Sequence, residues 1–123
     1  MIMRRTRIKH LAALREHEAY TISDKPRKLV TLVSQEECKV EKGKIYQIGI
    51  IPVEIPKNSM LNFCMYARHP VGNVVSVVEN PPKRIEELRE VGACVFISWD
   101  NGLIENEDVL GVIGIVPLER LDG

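Results

Sequence analysis

The chain alternates short apolar runs with turns rich in glycine, proline and asparagine, a pattern that indicates a protein built mainly of β-strands. Runs of β-branched and other apolar residues between turn signals are typical of strands. The predicted strands cover residues 28–34, 44–51, 60–68, 73–79, 93–99, 103–104 and 108–116. Among the turns, Asn101 followed by Gly102 gives the strongest hairpin signal, since a type I′ turn needs positive φ at both central positions. The run at 93–99 is apolar on both faces, which predicts a covered central strand.

One segment carries helix signals instead. Asn80 can cap a helix, Pro81 suits its first position, and Gly92 can end it. Between them, Ile85 and Leu88 would share one face. We therefore predict one short α-helix of at most about three turns, which must pack on the sheet to be stable.

The first 23 residues are ambiguous. Ile8, Leu11 and Leu14 recur with a helical period, whereas residues 18–22 fit a strand equally well. The length of 123 residues suits one domain. We expect a single domain over 1–123, with a β-rich core over 28–119 and an N-terminal segment, 1–23, of undetermined structure.

Two distant stretches repeat one another. GIIPVE at residues 49–54 matches GIVPLE at 114–119, and the preceding turns match with an offset of 64 that becomes 65. One interpretation is a pseudo-twofold β-architecture, either a small barrel or two related β-layers. The other is chance, because short β-branched strands that end in proline look alike. The sequence leaves both open.

Charge and cysteine content narrow the choice of partners. Seventeen basic and 17 acidic residues give zero net charge, which provides no general attraction to nucleic acid or anionic membranes and makes self-association easier. A basic start formed by Arg4, Arg5, Arg7 and Lys9 lacks an aromatic stacking platform, so nucleic-acid binding is not expected.

No signal peptide or span is expected either. No apolar region follows the basic start, and the longest apolar run, 109–118, is too short to cross a bilayer. Cys38, Cys64 and Cys94 form no CxxC pair and have apolar neighbours, which predicts reduced core cysteines in a cytoplasmic protein.

The polar cluster with the most chemical promise is the sequence Arg-His-Pro-Val-Gly at 68–72. A guanidinium (Arg68) and an imidazole (His69) at a strand end can bind a carboxylate or phosphate, and proline with Gly72 would hold the loop in one shape. The alternative is that Arg68 and His69 are ordinary loop residues. No P-loop, nucleophile elbow or HExxH motif is present.

Two further groups of side chains are weaker candidates. Carboxylates at Asp100, Glu105, Glu107 and Asp108 could bind a hard cation, but their spacing is not that of an EF-hand loop, so a solvated end of a hairpin is favoured. His10 and His17 lack a third ligand, and Trp99 fits a pocket wall, a dimer contact or the edge of the core. We therefore predict no metal site and keep Asp100 as a ligand-binding candidate.

The chain resembles DUF22, an archaeal family of unknown function. The resemblance rests on KGKIYQI (42–48), VEIPKNSML (53–61), ARHPVGNVVSV (67–77) and ENEDVLGVIGI (105–115), and it covers the chain from about residue 29. It implies an archaeal source and no established activity, and it assigns no cofactor or catalytic residue. A weaker similarity to β-clip domains implies a compact two-layer body of short strands.

Two functions remain in competition. The first is a small β-domain that binds a ligand or partner and assembles as a homo-oligomer; a small anion is the ligand that Arg68, His69, Gly72 and Asp100 would suit. The second is an enzyme acting on a small anionic substrate, in which His69 is the general acid or base, Arg68 holds the substrate, and the 100–108 region supplies a carboxylate.

Overall fold

The computed structural model describes residues 20–121, apart from the side chains of Met65 and Tyr66. Within this range the chain forms nine strands and no helix, which confirms the prediction of a mainly β protein. The strands are β1 (Tyr20–Ile22), β2 (Lys28–Val33), β3 (Cys38–Val40), β4 (Ile45–Ile55), β5 (Ser59–Arg68), β6 (Gly72–Glu79), β7 (Arg89–Ser98), β8 (Gly102–Ile104) and β9 (Val109–Arg120).

The strands form three antiparallel sheets. In one, β9 pairs with β1, β2 and β5; in the second, β7 lies between β4 and β6; the third is the two-stranded pair β3–β8. A single bridge from Ser34 to Ile50 links the first two sheets. The sheets of the described chain are open, so the closed barrel that was one predicted alternative is wrong.

The core lies where the sheets face one another. Alternation along β4 and β7 turns Ile48, Ile50, Cys94 and Phe96 inward, as a period of two requires. The remaining fully buried apolar side chains include Leu32, Val40, Ile55, Val91, Ile104, Leu110 and Ile113. The central position predicted for the 93–99 run is confirmed, because β7 pairs on both sides.

The predicted helix is absent from the segment between β6 and β7. Its final residues instead enter β7, where Arg89 and Val91 pair with β4. Only a turn in which the Glu87 N–H donates to the Arg84 carbonyl oxygen remains of the helical pattern. A helix of three turns stabilises itself too little to compete with these strand pairings.

The hairpin predicted at Asn101 and Gly102 is also wrong. Neither residue has positive φ, and β8 pairs with β3 rather than with the preceding β7. Gly102 serves a different purpose: a Cβ there would lie 2.6 Å from Cγ1 of Val71. Close packing, and not turn conformation, therefore requires glycine at this position.

The two matching stretches make the same backbone contacts. The Ser34 N–H donates to the Asp108 carbonyl oxygen and the Ser98 N–H to the Lys44 carbonyl oxygen, both at 2.9 Å. In return, the Glu107 N–H donates to Ser34 and the Gly43 N–H to Ser98, both at 2.8 Å. Each donor or acceptor in one stretch thus has its counterpart 64 residues away.

A β-bulge explains the shift of the offset from 64 to 65. In β9, Val109 pairs with Val33 and Gly111 pairs with Leu32, so Leu110 has no partner in β2. The corresponding pairs between β4 and β7 contain no extra residue. Leu110 is fully buried, which means that the inserted residue adds to the core.

Candidate functional site

A departure of β5 from its sheet builds the most developed cleft in the described chain. Phe63 pairs with Ile113 and Arg68 pairs with Gly111, so the four β5 residues 64–67 lie opposite Val112 alone. A bulge of this size bends the strand outward and redirects its side chains.

The resulting cleft has a volume of about 310 Å³, at the lower end of the range for small-molecule sites. It lies between the β5 departure, the start of β6, the end of β7 and the start of β9. Its lining consists of Phe63, Cys64, Ala67, Arg68, Asn73, Val74, Trp99, Gly111 and Val112.

Two exposed aromatic rings contribute to this cleft. Trp99 is 58% exposed and Phe63 is 39% exposed, so both rings leave apolar surface in contact with water. The Trp99 indole N–H donates to Oδ1 of Asn73 at 2.7 Å, and the Asn73 amide donates to the Val74 carbonyl oxygen at 3.2 Å. These bonds fix the indole, so a ring that could turn freely on the surface is held as one wall.

Arg68 supplies the positive charge of the cleft. Among residues 20–121, no carboxylate forms an ion pair with its guanidinium, and the residue is exposed. The sequence-based expectation for Arg68 and the geometry therefore agree: the guanidinium lines a cleft and is available to an anion. Whether an anion binds there stays a prediction.

His69, the next residue, does not line the cleft. Its Nε2 lies 2.9 Å from Oδ2 of Asp108, and its Nδ1 accepts the Val71 N–H at 3.2 Å. Because Nδ1 accepts, the proton is on Nε2 and the ring is neutral. The ring is also packed edge-on against Phe96, with 6.2 Å between centroids. Both nitrogens are occupied, so the ring holds the turn in place and has no atom free for proton transfer.

Asp108 is the fixed point of this arrangement. The same Oδ2 accepts the Glu105 backbone N–H at 2.9 Å. This backbone hydrogen bond, and secondly the one from His69, hold the pKa of the Asp108 carboxyl below its usual value. The sequence offered Asp108 as a cation ligand in a group of four; the structure gives it two hydrogen-bond donors instead.

Gly72 ends the turn that His69 begins, and it has a packing role. Its N–H donates to the His69 carbonyl oxygen at 3.2 Å, which confirms the predicted turn. A Cβ at Gly72 would overlap the Ile97 carbonyl oxygen and approach the Phe96 ring to 2.7 Å. Val71 in the same turn accepts the Trp99 N–H at 2.7 Å, which sets Arg68 and Trp99 side by side.

Asp100 lies apart from the cleft. Its carboxylate accepts the Asn101 N–H at 2.8 Å and its carbonyl oxygen accepts the Ser98 hydroxyl at 2.5 Å. Of the four predicted ligand-binding residues, only Arg68 lines the cleft. Phe63 and Asn73 were missed, because in the sequence one looks like a core residue and the other like the first polar residue of a strand.

The remaining candidates divide by position. His10, His17 and the basic residues 4–9 lie outside the described residues. Within 20–121, no three His, Cys, Asp or Glu side chains gather as a metal site would require. The same part of the chain contains no helix of sufficient length and apolar character to span a membrane.

The cysteines differ from one another more than predicted. Cys94 is buried, and burial raises the pKa of its thiol to about 12; Cys38 is partly buried, and burial followed by the charge of Glu36 raises its pKa. Cys64 is exposed, so the prediction of three core cysteines is wrong there. The departure of β5 from the sheet is the cause.

Comparison with known proteins adds a family. The model described as "Domain of unknown function DUF22" matches residues 2–102, so the match begins earlier than predicted and leaves out the 105–115 motif. An uncharacterized protein of Methanocaldococcus jannaschii is 34% identical over 93 residues, which cover 76% of this chain and 72% of that protein. No solved structure matches the chain. The extent of the family match shows that this chain belongs to the DUF22 family.

Proposed function

We propose that this domain binds a small anionic molecule with a flat apolar part in the cleft between Arg68 and Trp99. One observation carries the proposal: an arginine without an ion-pair partner in the described chain and an immobilised, exposed indole line the same cleft. Such a combination of charge and aromatic surface provides two different contacts for one ligand.

The chemistry of the two side chains defines the ligand class. Guanidinium groups bind carboxylates and phosphates through two parallel hydrogen bonds. The indole and the Phe63 ring offer apolar faces on which a flat group can stack. The volume of about 310 Å³ limits the ligand to a small molecule.

Binding is favoured over the alternative of an enzyme. General acid–base catalysis by His69 would require a ring nitrogen within reach of the substrate. Both nitrogens instead bond within the protein, to Asp108 and to the Val71 N–H. The enzyme alternative therefore gains no support from the residue on which it was based.

Fluorescence offers a direct test because Trp99 is the single tryptophan of the chain. We expect benzoate and phenyl phosphate to change the Trp99 emission with saturation. Inorganic phosphate, which lacks the ring, and benzyl alcohol, which lacks the charge, should bind at least about tenfold more weakly, since a charge-assisted hydrogen bond contributes about 1.5–3 kcal/mol. Equal binding of benzyl alcohol and benzoate would contradict the role of Arg68.

A pair of arginine variants provides the matched control. Arg68→Met should weaken benzoate binding at least about tenfold, because the charged donor is lost. Arg27→Met removes an equally exposed arginine that does not line the cleft and should leave binding unchanged. Unaltered binding by Arg68→Met, with the fold intact by circular dichroism, would overturn the proposal.

We also propose that the chain self-associates in the cytoplasm. Zero net charge supports association, and exposed apolar side chains such as Ile45 and Val75 support it further. Sedimentation equilibrium at micromolar concentration tests it: a mass above that of one chain, 14.0 kDa, is expected.

A further inference from the structure

We infer that two copies of this chain associate face to face through the ribbon formed by β3 and β8, with the two ribbons antiparallel. The inference names the surface for the self-association proposed above and rests on it. Throughout, "the ribbon" means Cys38–Val40 paired with Gly102–Ile104.

The ribbon has one covered face and one open face. Val40 and Ile104 are turned into the core and buried, while the cross-strand pair of Lys39 and Leu103 is turned outward. Leu103 is 44% exposed. An open depression surrounds this pair and is lined by Lys39, Val40, Glu41, Asn101, Gly102 and Leu103. A two-stranded sheet with an apolar side chain on its open face is a surface that a partner can cover.

The two ends of the ribbon carry opposite charge. At the end that follows β3, residues 39–44 contain three lysines and one glutamate. The nearby Asp100 reduces this positive excess without reversing it. At the other end, residues 34–37 and 105–108 contain five carboxylates and no basic residue. These two acidic segments are joined, because the Glu107 N–H donates to the Ser34 carbonyl oxygen.

This polarity selects a second copy as the partner and fixes its orientation. A twofold axis along the ribbon would place each acidic end on another acidic end. A twofold axis across the strands places the lysine-rich end of each copy on the acidic end of the other, so the favourable contact forms twice. The Leu103 side chains then meet near the axis, where they are shielded from water.

Salt and an apolar substitution test the surface. We expect sedimentation equilibrium to give twice the chain mass of 14.0 kDa at low salt, with dissociation constants that rise as salt screens the paired ends. Leu103→Lys should raise the dissociation constant at least about tenfold, because it places two lysines together at the axis. Leu29→Lys, at an exposed position on β2, is the control and should leave it unchanged.

A charge exchange provides the sharper test. Lys42→Glu with Lys44→Glu makes both ends acidic, and Glu37→Lys with Glu105→Lys makes both ends basic. Each double variant alone should be monomeric. An equimolar mixture should dimerise, because the hetero-pair restores one wild-type contact and one contact of exchanged sign.

The outcomes separate the two proposals. A monomeric wild-type chain at all concentrations would refute self-association itself. A wild-type dimer that Leu103→Lys leaves intact, or a mixture of charge variants that stays monomeric, would refute the ribbon as the interface while self-association stands. Circular dichroism of each variant establishes that the sheets are intact.

Discussion

The turn at residues 41–44 and the turn at 105–108 share a backbone design and differ in their side chains. In each, the N–H of the fourth residue donates to the carbonyl oxygen of the first, at 3.2 Å for Lys44 and 3.1 Å for Asp108. The third residue has positive φ in both, 81° at Gly43 and 73° at Glu107.

The side chains give the two turns different tasks. Lys44 pairs with Glu41 at 2.7 Å on the open surface, whereas Asp108 reaches inward to His69 and braces the turn beside the cleft. A backbone frame whose hydrogen bonds do not depend on the exposed side chains leaves those side chains free to diverge. One copy thus presents lysines to solvent, and the other supports the candidate site.

The largest difference between the turns should appear when their fourth residues are truncated. Asp108→Ala leaves the His69 Nε2–H and the Glu105 N–H without an acceptor and should lower the free energy of unfolding by about 2 kcal/mol. Lys44→Ala removes only an exposed ion pair and should leave it unchanged within error. Urea denaturation measures both, and equal losses would mean that the two turns are not specialised.

The serines that receive the turns should behave alike. Ser34 and Ser98 are buried, and their hydroxyls donate to the carbonyl oxygens of Glu36 and Asp100, at 2.6 and 2.5 Å. Ser34→Ala and Ser98→Ala should each cost about 1.5 kcal/mol, the cost of an unsatisfied buried acceptor. A difference greater than about 1 kcal/mol would show that the two frames are energetically unequal.

The residues with positive φ should respond in opposite directions. Gly43→Ala places a side chain at φ 81° and should cost about 1 kcal/mol. Glu107→Gly relieves the same conformation at φ 73° and should add about 0.5 kcal/mol. Thermal unfolding in the wild-type background measures both, and destabilisation by Glu107→Gly would show that this side chain has a role of its own.

The smallest effect should be a dependence on pH. The pKa of Asp108 is lower in the folded chain than in the unfolded one, so its stabilising contribution is complete above the unfolded pKa of about 3.9 and is lost as pH falls through the folded value. Asp108→Asn should therefore lose less stability than the wild type between about pH 5 and pH 2. Parallel acid limbs in urea titrations of the two proteins would argue against this contribution.

Strand positions could be predicted because alternation and turn residues are local. The predicted runs at 28–34, 60–68 and 73–79 correspond to β2, β5 and β6 within one residue at each end. The helix at 80–92 failed because pairing with β4, a contact distant in sequence, outweighed the local caps. The Asn-Gly signal failed for a similar reason, since the partner of β8 is β3.

The candidate site was less predictable than the strands. Arg68 could be proposed from its place at a strand end, but the cleft depends on four residues of β5 that leave the sheet opposite Val112. Nothing in the sequence of that strand interrupts its apolar pattern. Phe63 and Asn73 became site residues only when this departure set them beside Trp99.

The sequence alone determined the β class, most strand positions, the family and the repeated stretches, because these depend on side-chain periodicity and on neighbouring residues. Tertiary structure decided which strands pair, that the sheets stay open, and that His69 braces a turn while Arg68 faces a cleft. The physical reason is that hydrogen-bond partners far apart in sequence, such as His69 with Asp108, are chosen by the packing of the whole chain.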